Sequence, residues 1–217
     1  MKVAILGTGM VGDTIGSKLI ELGHHVMMGS RTSNNEKAIA FVDKNPDKAN
    51  AGTFAEAAAF GEIIFNCTSG VASLEALSLA GEDNLGNKII IDVANPLDFS
   101  AGMPPTLSMV NTTSLGEQIQ SQFPHSKVVK ALNTMWCGLM VNPALVNNAN
   151  HDTFICGNDA EAKEFVKDIL KSFGWFEKNI LDLGDITNAR GTEMYLPLWL
   201  RIWGATNNGA FNIKIVS

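Results

Sequence analysis

Cysteine is scarce in this sequence, and the few cysteines are widely spaced. The three are Cys67, Cys137 and Cys156, which form neither a C-x-x-C pair nor a zinc-ligand spacing. This excludes a disulfide-stapled secreted fold and a cysteine-based metal centre. Cys67 and Cys156 stand in apolar, strand-like segments, so we expect buried, reduced thiols and a cytoplasmic location.

Long apolar segments are lacking as well. The longest, residues 194–205, contains Pro197 and Arg201 and is too short to cross a bilayer, so no membrane contact is expected. The sequence starts directly with a strand-like segment, so no signal peptide is expected. The net charge of −6 argues against a nucleic-acid-binding protein, because phosphate contacts dominate that affinity.

Apolar residues, in contrast, are abundant. They make up 46% of the 217 residues, which suits a well-buried globular domain with a small appendage. Strand-like and helical segments alternate, which predicts an α/β fold with a Rossmann-type, doubly wound parallel sheet. Because the composition changes after Gly184, we predict a nucleotide-binding domain over residues 1–186 and a small C-terminal lobe over residues 187–217.

Glycines at a fixed spacing give the first functional signal. Residues 2–12 read KVAILGTGMVG, an apolar strand followed by glycines spaced G-x-G-x-x-G, and a helical pattern comes next. The first glycine allows a tight turn, the second lets a pyrophosphate approach the backbone, and the third allows close helix packing. N–H groups at the helix start then bind the phosphates. The segment predicts a dinucleotide site at Gly7, Thr8, Gly9, Met10, Val11 and Gly12.

A carboxylate is missing from the end of the second predicted strand. NAD-binding domains usually carry Asp or Glu there, which binds the ribose 2′-hydroxyl. Here residues 29–32 read GSRT, and Lys37 follows soon afterwards. A hydroxyl and two cations suit a 2′-phosphate, because arginine binds phosphate oxygens in a planar, bidentate geometry. We therefore predict NADP(H), with its 2′-phosphate held by Ser30, Arg31 and Lys37.

Two helix starts are predicted from capping residues. Ser73 is predicted to cap the helix that runs through three leucines after the third apolar strand. Asn158 is predicted to cap the helix that ends at Gly174, with Glu161 completing a capping box.

The C-terminal part of the chain is predicted to contain a broken helix and a strand. Residues 187–205 form an aromatic-rich helix that Pro197 interrupts, and residues 210–216 alternate like a strand. Earlier in the chain, residues 99–105 are rich in glycine and proline and are predicted to form the most exposed loop.

Histidine, lysine and glutamate are absent from the predicted exits of the strands, where an open parallel sheet binds its ligands. Positioning of two rings is therefore expected to supply the catalytic effect, and no catalytic residue is predicted. A flavin or deazaflavin acceptor fits that absence, whereas a ketone or imine normally needs a proton donor. The exit loops carry small and amide side chains: Thr68, Ser69, Gly70, Asn95, Asn133, Thr134 and Met135.

Other conspicuous side chains have structural interpretations. His151 and Asp152 are adjacent and are expected in a loop turn rather than in a catalytic dyad. Trp199 and Trp203 lie on one helix face and are expected in the core or at a subunit interface. Tyr195 is a remote candidate for a general acid.

An ordered series of motifs resembles a known family. GTGMVG and GSRT are followed by KVVKALNT at residues 127–134, CGND at residues 156–159 and LDLG at residues 181–184. With residues 196–198 and 212–214, the series is similar to the coenzyme F420-dependent NADP oxidoreductases over essentially the whole chain. The cytoplasmic domain of certain membrane metalloreductases looks like the same group.

The resemblance implies an NADP-binding doubly wound fold, a small C-terminal lobe, a homodimer, and hydride exchange between NADPH and a deazaflavin. It implies that residues 8–11 line the pyrophosphate. It implies these positions beside the two ring systems: Gly70, Leu74 and Cys137 at the nicotinamide, and Asn133 and Met135 at the second ring.

The chain departs from the family at Asn133, where the family carries histidine, and at Ser69-Gly70, where the family has a bulkier segment. Both departures fall in the acceptor pocket, so the acceptor stays open among a deazaflavin, a flavin and another ring. One alternative is a reductase of a small C=N or C=O substrate, which Asn95 and Asn133 would orient. Another is a non-enzymatic NADPH-sensing protein. The predicted partner is a small-molecule acceptor, without nucleic acid or metal.

Overall fold

Ten strands and nine α-helices are found within residues 1–216, the part of the chain that the computed structural model describes. The strands are β1 Lys2–Leu6, β2 His25–Ser30, β3 Ala49–Thr53, β4 Ile63–Asn66, β5 Ile89–Asp92, β6 Leu97–Asp98, β7 Thr106–Leu107, β8 Lys127–Ala131, β9 Thr153–Gly157 and β10 Ile180–Asp182. The helices are α1 Met10–Glu21, α2 Glu36–Lys44, α3 Phe54–Phe60, α4 Gly70–Ala80, α5 Glu82–Leu85, α6 Leu115–Gln122, α7 Cys137–Val141, α8 Ala160–Ser172 and α9 Ala189–Thr206.

Eight of these strands form one sheet in the order β10-β9-β8-β5-β4-β1-β2-β3. Two separate apolar clusters of buried side chains are built on this sheet, one with α1, α2, α7 and α8, the other with α3, α4 and α6. The predicted α/β, Rossmann-type, doubly wound architecture is confirmed. Within residues 1–216, no helix is both long enough and apolar enough to cross a membrane.

The first strand, helix and second strand form as the sequence predicts. Residues 3–6 of β1 are fully buried, and α1 buries Ile15 and Leu19 against the sheet. β2 then pairs in parallel with β1, Val26 beside Val3. This unit brings the glycine turn after β1 and the end of β2 to the same edge of the sheet.

β3 is a strand that the sequence pattern did not reveal. Its residues, ANAGT, have little strand propensity, and Gly52 lies in its interior. It pairs in parallel with the outer edge of β2 from Val26–Ala49 to Ser30–Thr53. A paired edge, rather than the local sequence, therefore determines this strand.

The sheet is not parallel throughout. β9 runs antiparallel to β8, with Ala131 opposite Ile155, and β10 is parallel to β9. An antiparallel step needs no crossover to the other edge. The long connection from β8 to β9, which includes α7, therefore stays at the carboxyl edge, where it contributes Met135 and Met140 to the site described below.

Both predicted capping residues are wrong. α4 begins one turn earlier than predicted, with Ser69 as its N-cap, and Ser73 is buried inside the helix. α8 is capped by Asp159, whose carboxylate accepts a hydrogen bond from the backbone N–H of the third helical residue at 2.8 Å. Asn158 instead accepts from the N–H of Ile186 at 3.1 Å. At each helix start, two nearby polar residues could have been the cap, and the backbone conformation determines which of them is.

The C-terminal part also differs from the prediction. α9 continues through Pro197 as one helix, although a proline lacks the backbone N–H of the helix ladder and its ring clashes with the preceding turn. Residues 210–216 are not a strand. The N–H of Asp152 donates to the carbonyl of Ile213 at 2.9 Å, and the N–H of Ile215 donates to the Asp152 carboxylate at 2.6 Å. A side chain thus satisfies a donor that a neighbouring strand would otherwise satisfy.

The predicted loop of residues 99–105 connects β6 to β7 and is confirmed as an exposed segment. Phe99 and Met103 are 54% and 62% exposed, whereas Pro105 at the end of the segment is buried.

Candidate nucleotide and acceptor site

The turn after β1 has the geometry that its three glycines suggest. Gly7 has a φ of +116°, and a Cβ there would lie 2.5 Å from the carbonyl oxygen of Cys67. A Cβ at Gly12 would lie 2.1 Å from the carbonyl oxygen of Gly7, so α1 packs directly on the turn. At Gly9 a Cβ would meet no described atom within 4 Å, which means that this backbone faces an open cleft.

Two helices begin at this cleft. Their N-cap residues, Gly9 for α1 and Ser69 for α4, give no side-chain hydrogen bond to the helix start within the described residues. Both residues line the same cavity. Free N–H groups and the positive ends of two helix dipoles favour an anion there. The cradle fits the pyrophosphate of a dinucleotide.

The first cavity, here named the β2 cavity, has a volume of about 280 Å³ and lies between the glycine turn and the end of β2. It brings together seven of the residues that the sequence assigned to the cofactor: Gly7, Thr8, Gly9, Ser30, Arg31, Thr68 and Ser69. Lys37 and Met10 do not line it among the described residues. Thr32 and Asn35, which the sequence analysis missed, do.

Ser30 and Arg31 occupy different environments in the β2 cavity. Ser30 is 6% exposed and donates its hydroxyl to the carbonyl of Thr32 at 2.5 Å, which fixes the turn after β2. The Arg31 side chain is 63% exposed, and its Nη2 donates to Oε2 of Glu75 on α4 at 3.1 Å. A carboxylate does reach the end of β2, but it comes from a different helix and pairs with arginine.

Asn35 explains where α2 begins. Its Oδ1 accepts from the backbone N–H groups of Lys37 and Ala38, both at 3.1 Å. The cap directs α2 so that Lys37 lies in its first turn, outside the cavity wall. An asparagine immediately before a helical segment is a signal that sequence reasoning could have used.

The second cavity, here named the β5 cavity, also measures about 280 Å³ and lies beyond the end of β5. It shares Cys67, Thr68 and Ser69 with the β2 cavity, so the two adjoin along the loop after β4. Predicted residues that it gathers are Val11, Gly70, Asn95, Asn133 and Met135. Apolar wall residues that the prediction missed are Leu97, Phe99, Met140 and Leu196.

Asn95 and Asn133 hold two exit loops together. Nδ2 of Asn95 donates to the carbonyl of Asn133 at 2.8 Å, and Nδ2 of Asn133 donates to Oδ1 of Asn95 at 3.0 Å. A Cβ at Gly70 would lie 2.0 Å from the carbonyl oxygen of Asn95, so only glycine allows α4 to approach this loop. The two amides are thus committed mainly to shaping the β5 cavity.

Like Gly12, three other predicted residues line neither cavity among residues 1–216. Leu74 is half-buried against the apolar cluster of α3 and α4, and Cys137 is buried in the other cluster. Thr134 is 2% exposed and lines a separate cavity of about 200 Å³ with Tyr195. Its Oγ1 has no hydrogen-bond partner in the described chain.

A buried polar network supports the loop between the two cavities. Oγ1 of Thr68 donates to Oδ1 of Asn66 at 2.7 Å, and Nδ2 of Asn66 donates to Asp92 at 2.8 Å. The other Asp92 oxygen accepts from Nζ of Lys130 at 2.8 Å, and that ammonium also lies 2.7 Å from Glu193 on α9. Glu193 accepts from two N–H groups at the start of α6, at 2.8 and 3.1 Å.

Lys130 is charged in this network. Burial by itself would lower its pKa, but the carboxylates of Asp92 and Glu193 outweigh burial and raise it. Asp92, Lys130 and Glu193 are distant in sequence, so no local motif announced them. The same ammonium donates to the carbonyl of Ala94 at 2.5 Å, which fixes the backbone of the β5 cavity.

Among the described residues that line the β5 cavity, Cys67 is the one titratable side chain. Burial, assisted by the nearby Asp92 carboxylate, raises the pKa of its thiol. The group therefore stays a neutral thiol and supplies neither a base nor a ready acid at neutral pH.

The aromatic and histidine candidates lie elsewhere. His151 is buried, its Nε2 lies 2.9 Å from the carbonyl of Pro143, and its ring packs edge-on against Trp175 at 5.0 Å. Trp199 stacks on Trp203 at 6.4 Å between ring centroids. These contacts are structural.

A larger cavity, about 680 Å³, lies at the opposite edge of the sheet and is lined by Lys88, Ile89 and Lys127 at the starts of their strands. It has neither the glycine turn nor the two helix starts. The carboxyl edge of the sheet carries the features that bind a dinucleotide.

Comparison with known proteins agrees with this geometry. The family model described as NADP oxidoreductase, coenzyme F420-dependent, matches residues 2–96, which include the glycine turn and both Ser30 and Arg31. The crystal structure of a proposed F420-dependent NADP reductase from Arthrobacter sp. FB24 is 49% identical, with a TM-score of 0.92 and full coverage of both chains.

Two curated relatives extend the comparison. The F420-dependent NADP reductase of Methanocaldococcus jannaschii is 28% identical over 208 residues, 91% of this chain and 90% of that protein. Metalloreductase STEAP3 of Rattus norvegicus is 31% identical over 204 residues, and the match spans 91% of this chain but only 38% of STEAP3. The chain belongs to the coenzyme F420-dependent NADP oxidoreductase family and is an NADP-dependent oxidoreductase.

Proposed function

We propose that this protein transfers a hydride between NADP(H) and a deazaflavin of the F420 type or a flavin, by aligning two rings without a side-chain acid or base. The observation that carries the proposal is the β5 cavity. It adjoins the nucleotide cleft, its walls are largely apolar, and its one titratable group among the described residues is a thiol whose pKa burial raises.

In the nucleotide part of the site, residues that follow β1, β2 and β4 bind the cofactor. Backbone N–H groups at the starts of α1 and α4 bind the pyrophosphate, because nothing within residues 1–216 caps these helices with a side chain. Arg31 binds the 2′-phosphate through its planar guanidinium, with Ser30 holding the turn beneath it. Lys37 contributes charge from the first turn of α2.

The acceptor part of the site positions the acceptor ring and shields it from water. NADPH, when bound, supplies the hydride. Gly70 lets α4 approach the Asn95 backbone, and the paired amides of Asn95 and Asn133 fix the cavity floor. Met135 and the apolar side chains around it exclude water, which favours close approach of two rings.

The activity test uses purified protein with NADPH and a panel of acceptors: F420, FMN, FAD, and a cyclic imine. We expect loss of the reduced-nicotinamide absorbance band with F420 or a flavin and no turnover with the imine, because the described lining of the β5 cavity has no titratable side chain except a thiol whose pKa is raised. Turnover with the imine alone would contradict the proposal. Tight NADPH binding without turnover of any acceptor would favour the NADPH-sensing alternative.

Cofactor choice is tested by Arg31→Ala. The loss of one hydrogen bond to a charged phosphate should weaken NADPH binding by about tenfold and leave NADH binding nearly unchanged. Dissociation constants from fluorescence titration of the bound nicotinamide provide the measurement. Arg201→Ala is the matched control, since Arg201 is exposed on α9 and lines neither cavity. Equal losses for NADPH and NADH would show that Arg31 does not read the phosphate.

We further propose that two copies of the chain associate through α9. Leu198 and Trp203 on this helix are 55% and 40% exposed, which is a large apolar exposure for one helix. Light scattering coupled to size exclusion should report a dimer, and Leu198→Glu should shift it toward the monomer. A wild-type monomer at all concentrations would rule the association out.

A further inference from the structure

Glu75 lies at the rim of the β2 cavity, in a tertiary contact that the sequence does not reveal. It lies on α4 between Ala72 and Ala76, both of which line that cavity. Its Oε2 accepts a hydrogen bond from Nη2 of Arg31 at 3.1 Å across 44 residues of sequence. Both side chains are more than half exposed, at 63% and 62%, so neither is locked by packing.

We propose that Glu75 is a specificity-determining residue that competes with the 2′-phosphate of NADPH for the guanidinium of Arg31. This inference rests on the proposed role of Arg31 in phosphate binding. The carboxylate lowers the affinity for NADPH, leaves the affinity for NADH unchanged, and thereby narrows the preference between the two cofactors.

The chemistry of the pair supports competition. Arginine presents its N–H groups in a fixed planar fork that matches a carboxylate and a phosphate equally well. A phosphate that takes the fork facing Glu75 must displace the carboxylate. It then also lies near a like charge, which opposes binding. Both effects act on the 2′-phosphate and neither acts on a bare ribose.

The pair contributes little to the fold. An ion pair this exposed contributes weakly because water and salt screen it. α4 is anchored by its other face, where Leu77 and Ala80 are buried. Replacing Glu75 therefore changes the charge at the cavity without disturbing the helix.

The test measures dissociation constants of NADPH and NADH for four proteins: wild type, Glu75→Gln, Arg31→Ala and the double variant. Glu75→Gln should tighten NADPH binding by about two- to fivefold, the range expected for an exposed pair, and leave NADH unchanged. In the Arg31→Ala background the same substitution should have a smaller effect, because the competition is gone and only the repulsion between like charges remains. Glu82→Gln, at an exposed carboxylate on α5, is the control for net charge.

The outcomes separate this inference from the proposed function. Suppose that Arg31→Ala weakens the binding of NADPH alone but Glu75→Gln leaves NADPH affinity unchanged. The proposed competition is then wrong, and the proposed phosphate site is retained. If Glu75→Gln weakens NADH binding, the carboxylate is a ribose ligand and the inference is overturned. If Arg31→Ala weakens both cofactors equally, the phosphate site itself is wrong. An equal gain from Glu82→Gln would reduce the effect to net charge and also overturn the inference.

Discussion

Two ion pairs in this protein have similar geometry and opposite surroundings. Arg31 and Glu75 lie 3.1 Å apart at the rim of the β2 cavity, with both side chains more than 60% exposed. Lys130 lies 2.8 Å from Asp92 and 2.7 Å from Glu193, with all three side chains at most 2% exposed. The distances differ by a few tenths of an ångström, whereas the dielectric surroundings differ completely.

The difference in burial determines what each pair can do. In water an ion pair contributes about 0–1 kcal/mol, so a ligand can displace one partner at small cost. In the interior, removing one partner leaves an uncompensated charge, which costs about 3–5 kcal/mol. The exposed pair is therefore suited to exchange with a phosphate. The buried carboxylates and ammonium are suited to hold Thr68 and Ala94 in place beside the β5 cavity.

The largest effect is expected from Lys130→Met, which leaves two buried carboxylates without their cation. The free energy of unfolding should fall by about 3–5 kcal/mol. Urea denaturation followed by circular dichroism measures it, and Lys44→Met at an exposed position of α2 is the control. A loss no greater than that of the control would show that Lys130 contributes no more to stability than an exposed lysine.

A second prediction concerns how the difference in stability between wild type and Lys130→Met depends on pH. The carboxylates raise the pKa of Lys130 in the folded protein above the ordinary value of 10.5. The folded state therefore holds this proton more tightly than the unfolded state. The resulting stabilisation is fully present below the ordinary value and is lost as pH rises through the raised pKa.

The stability gap between wild type and Lys130→Met should thus persist through neutral pH and shrink in the alkaline range. Urea midpoints measured in a pH series test this. A gap that closes at neutral pH would mean that Lys130 titrates there and is not held as a cation.

The smallest effect is expected from Glu75→Gln on stability. Because the pair is exposed, the free energy of unfolding should change by less than about 0.5 kcal/mol, even though NADPH affinity rises. Thermal unfolding of the protein without added nucleotide measures this. A loss of several kcal/mol would remove the contrast between the two pairs and would indicate that Glu75 has a structural role.

The local features were predictable because they depend on neighbouring residues. The glycine turn, the strand before it and the helix after it follow from patterns a few residues long. The predicted helix starts were wrong where two nearby polar residues could each have been the cap. Ser69 rather than Ser73, and Asp159 rather than Asn158, became caps because the backbone conformation, not the residue type, selects the helix start.

Elements whose partners are distant in sequence were not predictable. β3 depends on the free edge of β2, and the C-terminal tail is held by the Asp152 side chain rather than by another strand. The apolar walls of the β5 cavity, such as Phe99 and Leu196, come from regions that are distant in sequence. Their roles depend on which strands adjoin, which no local pattern specifies.

By itself the sequence determined the nucleotide chemistry, namely a glycine turn that admits a pyrophosphate and a second strand that ends in Ser30 and Arg31 instead of a carboxylate. Only the tertiary structure decided which charges meet. Sheet order and helix packing brought Glu75 to Arg31, and Asp92 and Glu193 to Lys130. Electrostatic energy depends on distance and burial in space, and these are fixed only when the chain has folded.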